Sequence, residues 1–425
     1  MKLRTSFFLL ALSLPASQSA FCDDWPMWRG PRGDGMSLEP EAPLEWSATK
    51  NIQWKTAIPG DGRSSPIVIK DSIFVTSALP ESQSRRLIRV DRESGKLIWD
   101  VEVHCGPIEQ QHKFNTSASS TPASDGSRIY TIFVDDEKMV VSAVNWDGKI
   151  EWQIIPGTFM SKHGLAASPV ICDAGLLVNG HQDGTAFVVL LDPTTGKEVW
   201  RYKPDTDLRS FSTPVVAPIN GSRQIVISGA TQTLGLDIET GKRIWWVDGP
   251  TEKVVCTPSI GLGHIFSFGG SPEVRAFAVK QGGVGDLTKT NIAWTYERGM
   301  PYVPTPLLSK EYMHVINDGG IYTCMEPISG RILKTIRKGG NVYSSPVGIA
   351  GRVYLFDDDG LCTVIADGPN FEILAKNALD ELSKQVLRSR MVLFTFEVKS
   401  TFGKLQSKIS FSMVKRHDFY RSLLP

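Results

Sequence analysis

The 425-residue chain has no Cys-x-x-Cys, no adjacent cysteines and no Cys-x-x-Cys-His among Cys22, Cys105, Cys172, Cys256, Cys324 and Cys362. A zinc framework and a c-type haem attachment need such spacings, and cysteines this scattered do not read as a disulfide scaffold, which leaves room for one bridge at most. Excess charge is also lacking: 46 Lys plus Arg stand against 45 Asp plus Glu, a net +1, so no global field favours nucleic acid or an anionic membrane surface. Beyond the first twenty residues no segment reaches the roughly 18 apolar residues of a membrane span. No Ser/His/Asp, phosphate-loop or zinc-ligand spacing stands out. What remains, 41% hydrophobic and 21% charged, is the composition of a globular protein able to build a sizeable core.

Residues 1–20, MKLRTSFFLLALSLPASQSA, place Lys2 and Arg4 before an apolar run from Phe7 to Leu14 and then small residues, the order of a cleaved signal peptide. The expected location is the periplasm or outside the cell. Cys22 follows Phe21, which is bulky where lipid attachment wants a small residue, so a lipoprotein is not expected. Behind the leader, residues 21–43 hold "DWPMWRGPRGDG", Asp24–Gly35, whose prolines and glycines predict a non-helical strap with Trp25 and Trp28 packed on a larger fold.

That larger fold is announced by a repeat. "DRESGKLIW" ends at Trp99, "NWDGKIEW" at Trp152, "DPTTGKEVW" at Trp200 and "DIETGKRIW" at Trp245, with weaker copies at Trp294, Leu333 and Leu374 and a half copy at Trp54. The intervals, 45, 53, 48, 45, 49, 39 and 41 residues, suit a unit of four short strands. A second marker, Ser/Thr-Pro, runs in step at Pro66, Pro122, Pro169, Pro214, Pro258, Pro306 and Pro346, each ahead of an alternating β-branched stretch. Proline is tolerated where a strand begins, glycine supplies the positive φ of a tight turn, and the outer-strand tryptophan can dock on the neighbouring sheet. The prediction is an all-β, eight-bladed β-propeller of four-stranded antiparallel blades.

These paired markers resemble the repeats of the pyrroloquinoline-quinone-like (PQQ-like) propeller superfamily over roughly residues 44–380, and the strap resembles the N-terminal signature of its secreted branch. The superfamily includes quinoprotein alcohol dehydrogenases and the noncatalytic BamB-type assembly scaffold. The resemblance implies that the N-terminal strand around Trp54 supplies the outer strand of the last blade, with the chain end supplying its partners. Residues 381–425 depart from the pattern, with one glycine, no Ser/Thr-Pro, and nine Lys plus Arg against three Asp plus Glu. "VLFTFEV" and "KISFSMV" alternate as strands do, so this tail either completes the last blade or leaves an exposed edge.

Loops leading into inner strands converge near a propeller axis, and the residues before each proline predict a funnel lined by Arg63, Asn115, His163, Arg209, Lys253, Tyr302 and Asn341. Basic and donor groups dominate, which suits a small anionic or polyhydroxylated ligand. His181 and Asp183 in "NGHQDG" read as a turn. The dehydrogenases of the superfamily sandwich PQQ between a tryptophan floor and an adjacent-cysteine disulfide and hold calcium through carboxylates. This chain has no adjacent cysteines, its tryptophans fall on outer strands, turns and the strap, and "DVEVH" and "FDDDG" read as solvated loops. No catalytic or metal-binding residue is therefore assigned. PQQ and calcium enter by resemblance alone. The expected function is a monomeric, noncatalytic binding or scaffolding module for a small ligand or an envelope protein. The alternatives are a degenerate quinoprotein oxidoreductase and a BamB-like assembly scaffold.

Overall fold

A computed structural model describes residues 24–229 and 231–378, with the backbone of two further strands, Met391–Lys399 and Gln406–Met413. The expected leader, Cys22 and the rest of the tail lie outside the described residues. Among those described, every element is a strand except one 3-10 turn at Pro80–Ser82. No helix is long and apolar enough to cross a membrane.

Seven blades follow one another along the chain at residues 67–105, 123–158, 170–202, 215–248, 259–296, 307–337 and 347–378, each built from four antiparallel strands in sequence order. Each inner strand begins immediately after the proline of a Ser/Thr-Pro pair, from Ile67 after Pro66 to Val347 after Pro346. Middle strands such as Phe187–Leu191 are buried along their whole length, because a neighbouring blade covers each face. The outer strand Ile150–Thr158 instead alternates between half-buried and exposed positions.

The residue before each proline has its own task. The Thr121 hydroxyl accepts the Ser65 amide at 2.9 Å, Ser168 accepts that of Thr121 at 3.0 Å, and Thr213 accepts that of Ser168 at 3.0 Å. Thr305 accepts from Thr257 at 2.9 Å, and Ser345 from Thr305 at 3.0 Å. These bonds run from blade to blade around the axis in two runs, one across the first four blades and one across the last three.

At the rim the tryptophans do the joining. The indole N–H of Trp54 donates to Arg92 O at 3.0 Å, Trp99 to Trp146 O at 2.9 Å, Trp152 to Pro193 O at 3.0 Å, Trp200 to Ile238 O at 3.0 Å and Trp294 to Pro327 O at 2.8 Å. Every acceptor lies in the turn of the next blade that ends in the repeat's glycine, from Arg92 before Gly95 to Pro327 before Gly330. The ring then covers the glycine of that turn so closely that a Cβ on Gly241 would stand 2.4 Å from Trp200. Trp245 is the exception: its N–H goes to Gln224 Oε1 at 2.8 Å. Here the next blade carries an insertion in which Gly285–Asp286 pairs in parallel with Arg243–Asp248 as a fifth strand.

Apolar clusters lie between consecutive blades, from Phe74 with Ile129 and Phe133 to Tyr322 with Val353 and Leu355. Trp46 and Ile52 pack on the seventh blade, and Ile58 packs on Val75 and Ile88 of the first, so the ring of interfaces closes. In the closing sheet Ile52–Ile58 pairs antiparallel with Met391–Lys399, which pairs with Gln406–Met413. The strand around Trp54 is thus the outer strand of an eighth sheet, with the tail as its partner.

Candidate axial binding site

Loops from all seven blades meet at one end of the axis around a cavity of about 1000 Å³. The opposite end is closed by the strap, which touches the inner strand of each of the seven blades or the residues leading into it. Trp25 exchanges two backbone hydrogen bonds with Val68 at 2.8 and 3.0 Å, and Pro26 O accepts the Ser124 amide at 2.9 Å. Met27 packs with Ala123 and Val170, and Gly33 lies against Val215. The Trp28 indole donates to the Thr257 hydroxyl at 3.0 Å, and the Arg29 guanidinium donates to Pro306 O at 3.1 Å and Pro346 O at 3.5 Å. Gly35 and Ser37 pair with Gly348. The glycines matter here: a Cβ on Gly35 would sit 2.7 Å from the guanidinium it packs on. Trp25, Trp28 and Arg29 are the floor of the cavity.

The mouth is lined by ring systems in unbroken contact. Tyr343 meets Phe114, Phe114 meets His112, His112 stacks on His163 and His163 meets Phe211, with centroid separations between 5.2 and 5.7 Å. Tyr343 leads into the seventh blade and Phe114 into the second, so the loop carrying Phe114 reaches past the first blade's side of the mouth.

Of the residues expected in the funnel, Arg63, Asn115, His163, Lys253 and Tyr302 line the cavity. Their roles differ. Asn115 spends its amide on neighbouring backbone, donating to His163 O at 2.7 Å and Leu165 O at 3.1 Å, so it positions the His163 loop. The backbone of Tyr302 is held by Asp318, whose carboxylate accepts the amides of Tyr302 at 2.8 Å and Val303 at 3.2 Å. Burial, followed by the lower field of Arg209, Lys253 and His112, pushes the His163 imidazole below its usual range, and its Nδ1 has no hydrogen-bond partner. His163 is therefore neutral at pH 7. Lys253 has no ion-pair partner among the described residues.

Two expectations are corrected. Arg209 does not line the cavity: its Nε is held between both carboxylate oxygens of Asp183 at 2.5 and 2.7 Å. Asp183 is thus an ion-pair partner and more than a turn residue. Asn341 is exposed outside the cavity, and its carbonyl accepts the Asp358 amide at 2.9 Å. In both cases the loop is at the mouth but the residue does not line the cavity.

Sequence reasoning missed Asp318, in "NDGG", which reads as a turn although burial raises its carboxyl above the usual range. It also missed the buried pair of Lys338 with Asp357 at 2.9 Å beside the cavity. Asp357 further accepts the amides of Asp359 and Leu361, so "FDDDG" is a capped turn.

A family model described as outer membrane protein assembly factor BamB matches residues 44–186, 83–245 and 182–332, in overlapping registers that reflect the internal repeat. The chain belongs to this family. BamB from Moraxella catarrhalis is similar in structure at 18% identity, with 78% of this chain and 96% of that one covered and a TM-score of 0.53. The quinohemoprotein alcohol dehydrogenase from Comamonas testosteroni is similar at 11% identity, covering 95% of this chain and 82% of that one, with a TM-score of 0.50. Both likenesses show the shared PQQ-like β-propeller fold. No curated relative matches the sequence.

The quinone cofactor of the dehydrogenase branch does not fit the residues present. The five described cysteines are all free and far apart, so no disulfide plate can form. The cavity tryptophans belong to the strap at its floor. Among the described residues no three His, Cys, Asp or Glu side chains gather as metal ligands. Asp318 and Asp357 are already engaged, by backbone amides and by Lys338.

Proposed function

We propose that this protein is a noncatalytic binding module of the cell envelope, which holds a small polyhydroxylated or anionic ligand in its axial cavity. One observation carries the reading: the cavity is open at the loop end, closed at the strap end, and lined at its mouth by the ring arc from Tyr343 to Phe211 beside Arg63 and Lys253. Flat rings cover the faces of sugar-like ligands, and cations with hydrogen-bond donors fix their orientation. Loop residues rigidly placed by a scaffold are the usual carriers of binding.

The test is a thermal-shift screen of neutral and acidic sugars against the full chain and against the F114A/Y343A double variant. Ligands that raise the midpoint of the wild type and lose that effect in the variant support the reading. A screen in which hits act equally on both forms overturns it, since the mouth would then not be the site. The oxidoreductase alternative requires quinone absorbance on adding PQQ with calcium and dye-linked alcohol oxidation. A scaffold role like that of an assembly factor is favoured by one feature, the exposed Phe114 and Met160 on the loop face. It predicts that M160A loses cross-links to a folded envelope protein while keeping sugar binding.

A further inference from the structure

The ring of hydroxyls ahead of the prolines is half satisfied. Thr121, Ser168, Thr213, Thr305 and Ser345 each accept a backbone amide, and Thr257 accepts the Trp28 indole. A hydroxyl that accepts still has its own O–H to donate, and none of these six donates to a protein atom among the described residues. All but Ser345 are buried, and Ser168, Thr213, Thr257, Thr305 and Ser345 line the axial cavity. A buried donor left unused is costly, and here several face one space from different sides. What meets them must offer acceptors.

Arg29 supplies the second observation. It is only 5% exposed, lines the same cavity, and contacts the carbonyls of Pro306 and Pro346, the residues next to the ring hydroxyls of Thr305 and Ser345. Its Nη2 also donates to Asp34 O at 2.8 Å, its Nε has no partner, and the Asp34 carboxylate, which favours the cation through its charge, is itself hydrogen-bonded to Arg32 at 2.7 Å and to the Met36 amide at 2.8 Å. A buried cation with no carboxylate in direct contact is costly for a fold to retain. Neutral donors converging beside a guanidinium that only carbonyls contact form the counterpart of an anion.

We propose that the axial ring above Arg29 is a carboxylate site, at which the ligand of the funnel is anchored by an acidic group while its body lies against the rings of the mouth. The inference rests on the axial-cavity reading and narrows its ligand to a carboxylate-bearing one. The acids that line the cavity are Glu39, Asp318, Asp357 and Asp358, and none of them contacts Arg29 or a ring hydroxyl: Asp318 has its oxygens on the Tyr302 and Val303 amides of the mouth loop, and Asp357 is paired with Lys338.

The experiment is calorimetric titration of the full chain with galacturonate, galactose and inorganic sulfate. Galacturonate is expected to bind about tenfold or more tightly than galactose, the range of a charge-assisted hydrogen bond, and sulfate to compete with it. R29M should abolish the preference for galacturonate over galactose, while R29K, which keeps the charge, should retain part of it. S345A, which leaves the strap untouched, should weaken galacturonate severalfold and galactose less. Equal affinity for galacturonate and galactose, or an R29M variant that folds and keeps the preference, overturns the carboxylate site and leaves the cavity reading standing. Sulfate binding without galacturonate binding means a free-anion site and overturns the ligand anchor. If none of the three binds at millimolar concentration the carboxylate site is refuted, and the cavity reading is then decided by the wider screen with F114A/Y343A.

Discussion

Gly241→Ala separates the two reasons for the repeat's glycine. The residue has φ +67°, a left-handed conformation that costs a side chain about 1–2 kcal/mol. Its new Cβ would also stand 2.4 Å from Trp200 Cε3, and because Trp200 is pinned by its bond to Ile238 O, the ring cannot simply swing aside. Overpacking of this kind adds about 1–3 kcal/mol, for a total of about 2–5 kcal/mol. Gly263→Ala is the control: φ is +71° with nothing within 4 Å of the Cβ, so only the conformational cost of about 1–2 kcal/mol applies. Trp200→Ala alone should cost about 3–5 kcal/mol, and in the double variant Gly241→Ala should shrink to its conformational share, a coupling of about 1–3 kcal/mol. Urea unfolding followed by far-ultraviolet circular dichroism measures all four forms. Equal costs for Gly241→Ala and Gly263→Ala, or strict additivity in the double variant, would refute tryptophan docking as the reason for glycine in the turn.

Burial holds His181 neutral and lowers its imidazole from 6.5 to about 4, so the unfolded chain takes up its proton first. The resulting stabilisation, about 3 kcal/mol, is fully present above pH 6.5 and disappears as pH falls to about 4, and His181→Gln should flatten the stability profile in that window. Lys338→Met should cost about 3–5 kcal/mol in the same unfolding assay by stranding the buried Asp357 carboxylate, and K338M/D357L should recover most of it. Among the described cysteines, Cys105 is exposed, whereas Cys256, Cys324 and Cys362 are buried with thiols raised by desolvation. A disulfide reagent should therefore modify Cys105 in the native protein and these three only after denaturant is added.

Much of the scaffold is legible in the chain because its markers are local. Proline stands where an inner strand begins, and the Asp-to-Gly turn folds within five residues, as when the Asp91 carboxylate accepts the Ser94 amide. Trp99 and Trp152 sit a fixed distance along each unit because every blade must reach the next one's turn. The axial site is less legible. Its loops are identifiable, yet whether Arg209 faces the axis depends on Asp183, 26 residues away on another loop. Asp318 and Asp357 are written as turn residues, and only packing turns their carboxylates inward.

The strap shows the division most clearly. Its tryptophans, prolines and glycines are enough to predict an irregular segment packed on a larger body. That it crosses the axis, touches all seven blades at or just before their inner strands and buries Arg29 beside the axial hydroxyls follows from contacts between residues as far apart as Arg29 and Pro346. Sequence determined the repeating unit, because each unit is specified by bonds among near neighbours. Tertiary structure decided the cavity, its floor and its unused donors, because these exist only where all the units meet.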